Sequence, residues 1–228
     1  MTRVDDPASD DEAVVTHTTG NEPADPAVTG HYFDDDPEVA SKPSTVRLDL
    51  PDRTIHLRTD RGVFSADRVD PGTKLLLMEL PDLPDGAVAD VGCGYGPIAA
   101  TVAARRPGHP VWAVDVNSRA RQLCAENLAP YAAAGTETHV VAPDAVPQDL
   151  RVVAIVSNPP IRVGKAALHS LLRSWLARLT PEGEAWLVVQ KHLGADSLAR
   201  WMENDGHVVE RVRSRQGYRV LRVHDRPD

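Results

Sequence analysis

From Thr45 onward the chain switches repeatedly between two hydrophobic periods. Val46, Leu48 and Leu50 alternate with polar residues, Pro51-Asp52 interrupts, and Ile55 and Leu57 resume the alternation. A period of two on both sides of a Pro-Asp pair predicts a β-hairpin. Asp70-Pro71 then offers an N-cap followed by a proline in the first helical turn, ahead of the apolar run at 75–80. Short apolar runs at 87–91, 111–114, 138–141, 152–156 and 185–189 read as five strands. Between them lie stretches of helical period. One covers 97–105. Asn117 caps the next, which places Ala120, Leu123, Cys124 and Leu128 on one face. A third carries Leu168, Leu171, Leu172, Trp175, Leu176 and Leu179, and a fourth Leu198, Trp201 and Met202. Residues 208–212 and 219–223 predict a closing antiparallel pair joined through Gly217. Strands alternating with helices imply an α/β fold: a mainly parallel, seven-stranded sheet with helices on both faces. No internal repeat is visible.

Residues 1–42 break this pattern. They are rich in Asp, Pro, Thr and Ala and poor in large apolar side chains, so they cannot bury enough surface to offset their ordering entropy. The sequence therefore divides into an acidic tail expected to be disordered, residues 1–44, and one folded domain, residues 45–228. Net charge is −8 over the 228 residues. Residues 1–42 hold eleven acids against two bases, and the remainder has 23 bases against 22 acids. A near-neutral domain binds nucleic acid only where its bases cluster on one face. No apolar run has the length of a membrane helix, and the acidic start lacks the apolar core of a signal peptide, so a cytoplasmic protein is expected. Cys93 and Cys124 form no CxxC pair, and the histidines have no ligand-like spacing, so no metal site is expected.

The candidate chemistry sits just past the strands. Asp90-Val91-Gly92-Cys93-Gly94-Tyr95-Gly96 follows the first sheet strand and opens a helix. Glycines there let the backbone turn sharply and approach a ligand, and ligands of such sheets bind at the carboxyl ends of the strands. The spacing is GxGxG rather than the GxGxxG of a dinucleotide pyrophosphate site, which suits a nucleoside ligand without phosphate. Asp115 ends the second sheet strand, about twenty residues on, where a carboxylate can accept from both ribose hydroxyls; Val116 follows it. Asp144, after the third, either meets an adenine amino group or is a plain turn residue. Ser157-Asn158-Pro159-Pro160-Ile161 follows the fourth. Two prolines stop that strand and stiffen its exit. The Asn158 side-chain oxygen and the Pro159 carbonyl can then both accept from one NH₂ group, which needs alignment rather than a metal or a strong nucleophile to react. Arg162 and Lys165, just beyond, either grip phosphates or form a solvated loop. Arg211, Arg213 and Arg215 alternate, so a regular strand would put all three on one face, with Arg219 close by.

VADVGCGYGPIA, AVDVN and VSNPPIRVGK, in that order, resemble the small-domain class I methyltransferases related to ribosomal RNA small-subunit methyltransferase C, which methylate guanine N2. GVFSADRVDPGTKLLL at 62–77 and GYRVLRV at 217–223 resemble the same group, so the likeness runs from 45 to 223. It implies a Rossmann-like fold and S-adenosylmethionine (SAM) as cofactor. Cofactor-binding positions then fall on Phe64, Asp90, Gly92, Cys93, Gly94, Gly96, Asp115, Val116, Asp144 and Asn158. Catalytic positions fall on Asn158 and Pro159, and acceptor-binding positions on Pro160, Ile161, Arg162 and Lys165, with ribosomal RNA as the partner. Two features depart from the group. The longer ribosomal enzymes carry two methyltransferase-like halves and this chain has one; and Ile161 stands where many relatives place an aromatic ring. Alternatives are a protein glutamine N5, other amide or adenine N6 methyltransferase, and a SAM- or nucleotide-binding module without catalysis.

Overall fold

The computed structural model describes residues 39–226; most of the acidic segment lies outside them. Strands β1 (Ser44–Asp49) and β2 (Thr54–Thr59) form the hairpin, paired antiparallel from Ser44↔Thr59 to Asp49↔Thr54. Its inward residues, Val46, Leu48, Ile55 and Leu57, are buried, as the alternation requires. Helix α1 (Pro71–Glu79) starts at Asp70, whose carboxylate accepts from the Gly72 and Thr73 amides. Then come β3 (Val88–Val91), α2 (Pro97–Arg105), β4 (Val111–Val114), α3 (Ser118–Ala133), β5 (Thr138–Val141), β6 (Val152–Ser157), α4 (Lys165–Leu176), β7 (Leu179–Gln190), α5 (Ala195–Asn204), β8 (Val208–Arg215) and β9 (Tyr218–His224).

The second sheet has seven strands in the order β5-β4-β3-β6-β7-β9-β8. The five strands from β5 to β7 run parallel, and β9 is antiparallel to both β7 and β8. Two apolar layers cover it. One joins the hairpin and helices α1 to α3 through Leu57, Leu76, Leu77, Val102 and Leu128. The other holds α4 and α5 through Leu172, Trp175, Leu198 and Met202. With few aromatic rings, the packing is carried by Val, Leu, Ile and Ala at the sheet surface. Chain order reverses between β3 and β6, which leaves a crevice beyond their carboxyl ends. Asn127 of α3 fastens the hairpin over that end: it bonds both backbone groups of Arg58 and donates to the Tyr95 carbonyl.

Two expectations are corrected. Leu179 is not in a helix: α4 ends at Leu176, and Leu179 opens β7, paired with Val152. Leucine at helical spacing simply continues past the point where the Arg178 carbonyl accepts from Val152 and hands the chain to the sheet. Nor do the three arginines share a face. A β-bulge between Arg211 and Arg213 pairs Arg211 with Leu221 but Arg213 with Val220. The extra residue reverses the alternation. Arg211 therefore meets Asp196 of α5 on one side, while Arg213 meets Glu79 of α1 on the other.

Candidate active site

Three chain segments converge beyond the ends of β3, β4 and β6. The first is the glycine loop. Gly92, Gly94 and Gly96 all have positive φ (75°, 54° and 88°). The reasons differ along the loop. A Cβ on Gly96 would lie 2.6 Å from the Cys124 Sγ, so that glycine permits α2 to pack on α3. A Cβ on Gly94 would meet nothing within 4 Å; it would stand in the open crevice. Asp90, just before the loop, is buried. Its Oδ2 accepts from Ala99 N at 2.9 Å, and its Oδ1 is sealed from solvent with no protein partner. Burial pushes its pKa up to about 8, with the Asp115 charge adding to the effect.

Asp115 forms the second segment. Its Oδ2 accepts from Gly94 N at 2.8 Å and its Oδ1 from Asn117 N at 2.9 Å. The carboxylate thus holds the glycine loop in shape and keeps a further lone pair on each oxygen. Burial raises its pKa against those two hydrogen bonds. The third segment is the β6 exit. Ser157 donates to the Val91 carbonyl at 2.5 Å and locks β6 to β3. Asn158 Nδ2 donates to Asp70 Oδ1 and to Thr73 Oγ1, each at 3.0 Å. Its Oδ1 accepts from no described residue.

Between these segments lies a cavity of about 240 Å³ lined by Val91, Gly92, Val114, Asp115, Val116, Pro143, Asn158, Pro160, Val163, Ala167 and Leu171. A smaller recess, lined by Phe64, Asp70, Thr73, Gly92, Cys93, Gly94 and Asn158 among others, adjoins it. Gly92 and Asn158 border both, so the crevice has an apolar lobe on the β4–α4 side and a polar lobe toward α1, with Asn158 at the junction. This shape suits SAM. Val114, Val116, Pro143, Val163 and Leu171 would enclose an adenine, and Asp115 would take the ribose; Asp90, sealed behind the glycine loop, lines neither lobe.

Most of the residues singled out in the sequence thus meet at one crevice. Phe64 is 42% exposed at its mouth. Some do not line it. Asp144 is exposed in a short turn, Pro143–Ala145, and the neighbouring Pro143 takes the wall position. Pro159 is buried, and its carbonyl accepts from Ile161 N at 2.8 Å. Ile161 packs on the α4–α5 layer, and Val163 faces the cavity instead. Arg162 and Lys165 are exposed nearby, without an ion-pair partner among the described residues. Sequence reading gave Asp70 only a capping role and assigned none to Thr73 or Tyr218. Asp70 and Asn158 are 88 positions apart, and no local pattern links them. Among the described residues no group of three or more His, Cys, Asp or Glu could hold a metal ion, and no helix is long and apolar enough to cross a membrane.

A family model described as "Methyltransferase small domain" matches residues 54–222. The Bacillus subtilis protein YbxB, described as uncharacterized, is 33% identical over 198 residues, 85% of this chain and 97% of its own length. Ribosomal RNA small subunit methyltransferase C of Shewanella amazonensis is 37% identical over 163 residues, 69% of this chain and 47% of that protein. A solved T. thermophilus 16S rRNA N2 methyltransferase, in complex with AdoMet and guanosine, superposes with a TM-score of 0.69 at 23% identity, over 83% of this chain and 52% of that one. The chain therefore spans nearly all of the first relative and about half of the ribosomal RNA enzymes.

Proposed function

The chain belongs to the methyltransferase small domain family, and on that premise we propose that it methylates the exocyclic N2 amine of a guanine in ribosomal RNA. SAM is the cofactor of this methyltransferase. The observation that carries the acceptor reading is Asn158. Both of its amide hydrogens are committed to Asp70 and Thr73, so its oxygen is the group left to meet an acceptor at the junction of the two lobes. An oxygen there accepts from an NH₂ group.

Bound SAM supplies an electrophilic methyl on a positively charged sulfur. The protein's part is alignment. Asn158 Oδ1 receives one N–H of the amine and fixes the direction of the nitrogen lone pair. The Pro159 carbonyl, with a second lone pair beside its bond to Ile161 N, is the proposed acceptor for the other N–H, and entry of the base must draw it to a crevice wall that it does not line in the free protein. The stiff Pro159-Pro160 exit holds the Asn158 oxygen against the crevice. Methyl transfer would leave the sulfur as a neutral thioether and the nitrogen positive; the Asn158 oxygen would stabilise that charge, and the surplus proton would pass to solvent. In a paired guanine one N2 hydrogen is bonded to the partner base, so the target base must be unpaired or flipped out. Arg162 and Lys165 lie where flanking phosphates would pass.

The test is single-turnover transfer from labelled SAM to small ribosomal subunits lacking the modification, followed by nucleoside mass spectrometry. N2-methylguanosine is expected from the native protein. Asn158→Ala should lower the rate by on the order of 10²–10³, by analogy with lost oxyanion-hole donors, and leave SAM affinity nearly intact. Label in N6-methyladenosine, or in N5-methylglutamine of a protein acceptor, would replace guanine as the target. Near-native transfer by Asn158→Ala would overturn the role of the NPP segment.

A further inference from the structure

We infer that Asp70, Thr73 and Tyr218 form a positioning device that fixes which end of the Asn158 amide faces the acceptor, and so selects donors over carbonyls at that point. The inference rests on the reading of Asn158 given above and assigns its control to residues outside the NPP segment.

A primary amide is nearly symmetric in shape and opposite in chemistry at its two ends. Rotated by half a turn, Asn158 would present NH₂ to the crevice and favour a carbonyl acceptor group instead of an amine. Shape alone does not prevent this; the neighbours do. Asp70 Oδ1 accepts three hydrogen bonds: from Gly72 N at 2.9 Å, Thr73 N at 3.1 Å and Asn158 Nδ2 at 3.0 Å. The helix start therefore fixes the carboxylate, and the carboxylate, which has no proton to give, fixes the amide. Asn158 Oδ1 turned toward it would face a like-charged oxygen at hydrogen-bond distance. Thr73 Oγ1 receives the second amide hydrogen at 3.0 Å.

The other carboxylate oxygen is held as firmly. Tyr218 OH donates to Asp70 Oδ2 at 3.1 Å, and Gln190 Nε2 donates to that hydroxyl at 2.9 Å. Burial, together with the Asp70 charge, raises the Tyr218 pKa, which keeps the donor proton in place. The Tyr218 ring reaches this position only because residue 72 is glycine: a Cβ there would lie 2.4 Å from two ring carbons. Asp70 and Thr73 are buried, at 8% and 3% exposure, so water does not compete for their oxygens. Gln190 and Tyr218 face each other across β7 and β9, so the sheet's antiparallel edge is tied to the orientation of the acceptor-binding oxygen.

Asp70→Ser is the informative variant. Serine caps a helix about as well as aspartate, so α1 should start normally, but its short side chain does not reach Asn158. Asp70→Asn is the conservative control. Gly72 N and Thr73 N would orient its oxygen in the native place and keep the bond to Asn158. Two measurements are needed. The first is hydrogen exchange of the Asn158 side-chain NH₂ by ¹⁵N NMR, with the resonance identified by its loss in Asn158→Asp. The second is kcat, KM and SAM affinity with small ribosomal subunits as acceptor. We expect the slowly exchanging Asn158 NH₂ pair to lose its protection in Asp70→Ser and keep it in Asp70→Asn. kcat should fall on the order of 10²-fold in the serine variant, the scale for a misaligned reacting group, and recover to within several-fold in the asparagine variant. SAM affinity and melting temperature should stay near native in both. Should Asp70→Ser fail to fold, Thr73→Val removes one acceptor with little change of shape and is read the same way. Native amide exchange and native kcat in a folded Asp70→Ser protein overturn the inference. If Asn158→Ala is inactive at the same time, the reading of Asn158 survives and only its proposed control falls. If Asn158→Ala transfers normally, that reading falls first.

Discussion

At the scale of single residues, the buried carboxylates Asp115 and Asp90 do different work. Asp115 is tied to the backbone on both oxygens and still borders the cavity. Asp115→Ala should weaken SAM binding by about 1.5–3 kcal/mol, the scale of hydrogen bonds to a charged group. Titration calorimetry on a folded variant reads it directly, and an unchanged dissociation constant would remove Asp115 from the cofactor site. Asp90 instead keeps one oxygen without a partner and has a pKa pushed up to about 8 from an ordinary value of 3.8. Between roughly pH 4 and pH 8 the folded protein then holds a proton that the unfolded chain has lost. A raised folded-state pKa gives stability that is complete at low pH and declines as pH rises through that window. Asp90→Asn removes this titration, so the cofactor-free variant should lose less stability than the native protein between pH 6 and pH 8 in urea denaturation. Equal pH slopes would show that Asp90 titrates normally.

At the scale of elements, the glycine loop and its flanking helices show what the sequence could and could not convey. The strand-helix alternation, the Asp70 and Asn117 caps and the hairpin were all legible, because each depends on neighbours in sequence. Strand β7 was only half legible. Its buried stretch stands out, but its start runs through Thr180-Pro181-Glu182-Gly183-Glu184, which has no strand pattern and pairs irregularly with β6. The bulge in β8 left no mark at all, since one extra residue in a polar edge strand changes no hydrophobic period. The site was legible as three motifs, but not the Asp70–Asn158 link, which exists only after folding. Nor does GxGxG disclose that its glycines have different reasons. Gly96→Ala forces a Cβ against the Cys124 Sγ and within 3.3 Å of its Cα at positive φ, so overpacking adds to backbone strain. We expect a loss of about 2–4 kcal/mol in chemical denaturation. Gly94→Ala adds only the backbone strain, about 1–2 kcal/mol, and places a methyl in open crevice. It should damage SAM affinity more than stability. The reverse order in the two variants would contradict the assignment of the cavity.

At the scale of the whole molecule, charge is distributed unevenly about the sheet. Beyond the carboxyl ends of β6 and β7 and around the turn into β9 lie Arg68, Arg162, Lys165, Lys191 and Arg215, all exposed and none in an ion pair with a described residue. At the opposite end, a concavity of about 480 Å³ is lined by Asp82, Glu182, Glu184 and Glu210, with Arg222 held between the last two. An RNA backbone would be repelled by that larger hollow and attracted to the rim of the smaller one. The rim cations should then set the salt dependence of binding. Arg162→Ala with Lys165→Ala removes up to two phosphate contacts and should reduce the slope of log K against log salt by about 1.4–1.8. We propose that the first 38 residues act in the opposite sense. They carry eleven acids and one base, so the rest of the chain is slightly basic while the whole has a net charge of −8. An acidic segment on the same chain would compete with RNA for the rim at a high local concentration, and salt would weaken that competition. The cut belongs at residue 38, because the Val39 carbonyl accepts from Arg119 and Ser41 and Lys42 bond to Asp60. Removing residues 1–38 should leave the melting temperature nearly unchanged and tighten RNA binding, most at low salt and little near 0.5 M, in fluorescence anisotropy with a ribosomal RNA fragment. The gain should vanish in the Arg162→Ala, Lys165→Ala background, since the segment and the RNA would no longer contend for those cations. An equal gain in both backgrounds would place the competition elsewhere on the surface, and no gain at low salt would end the idea.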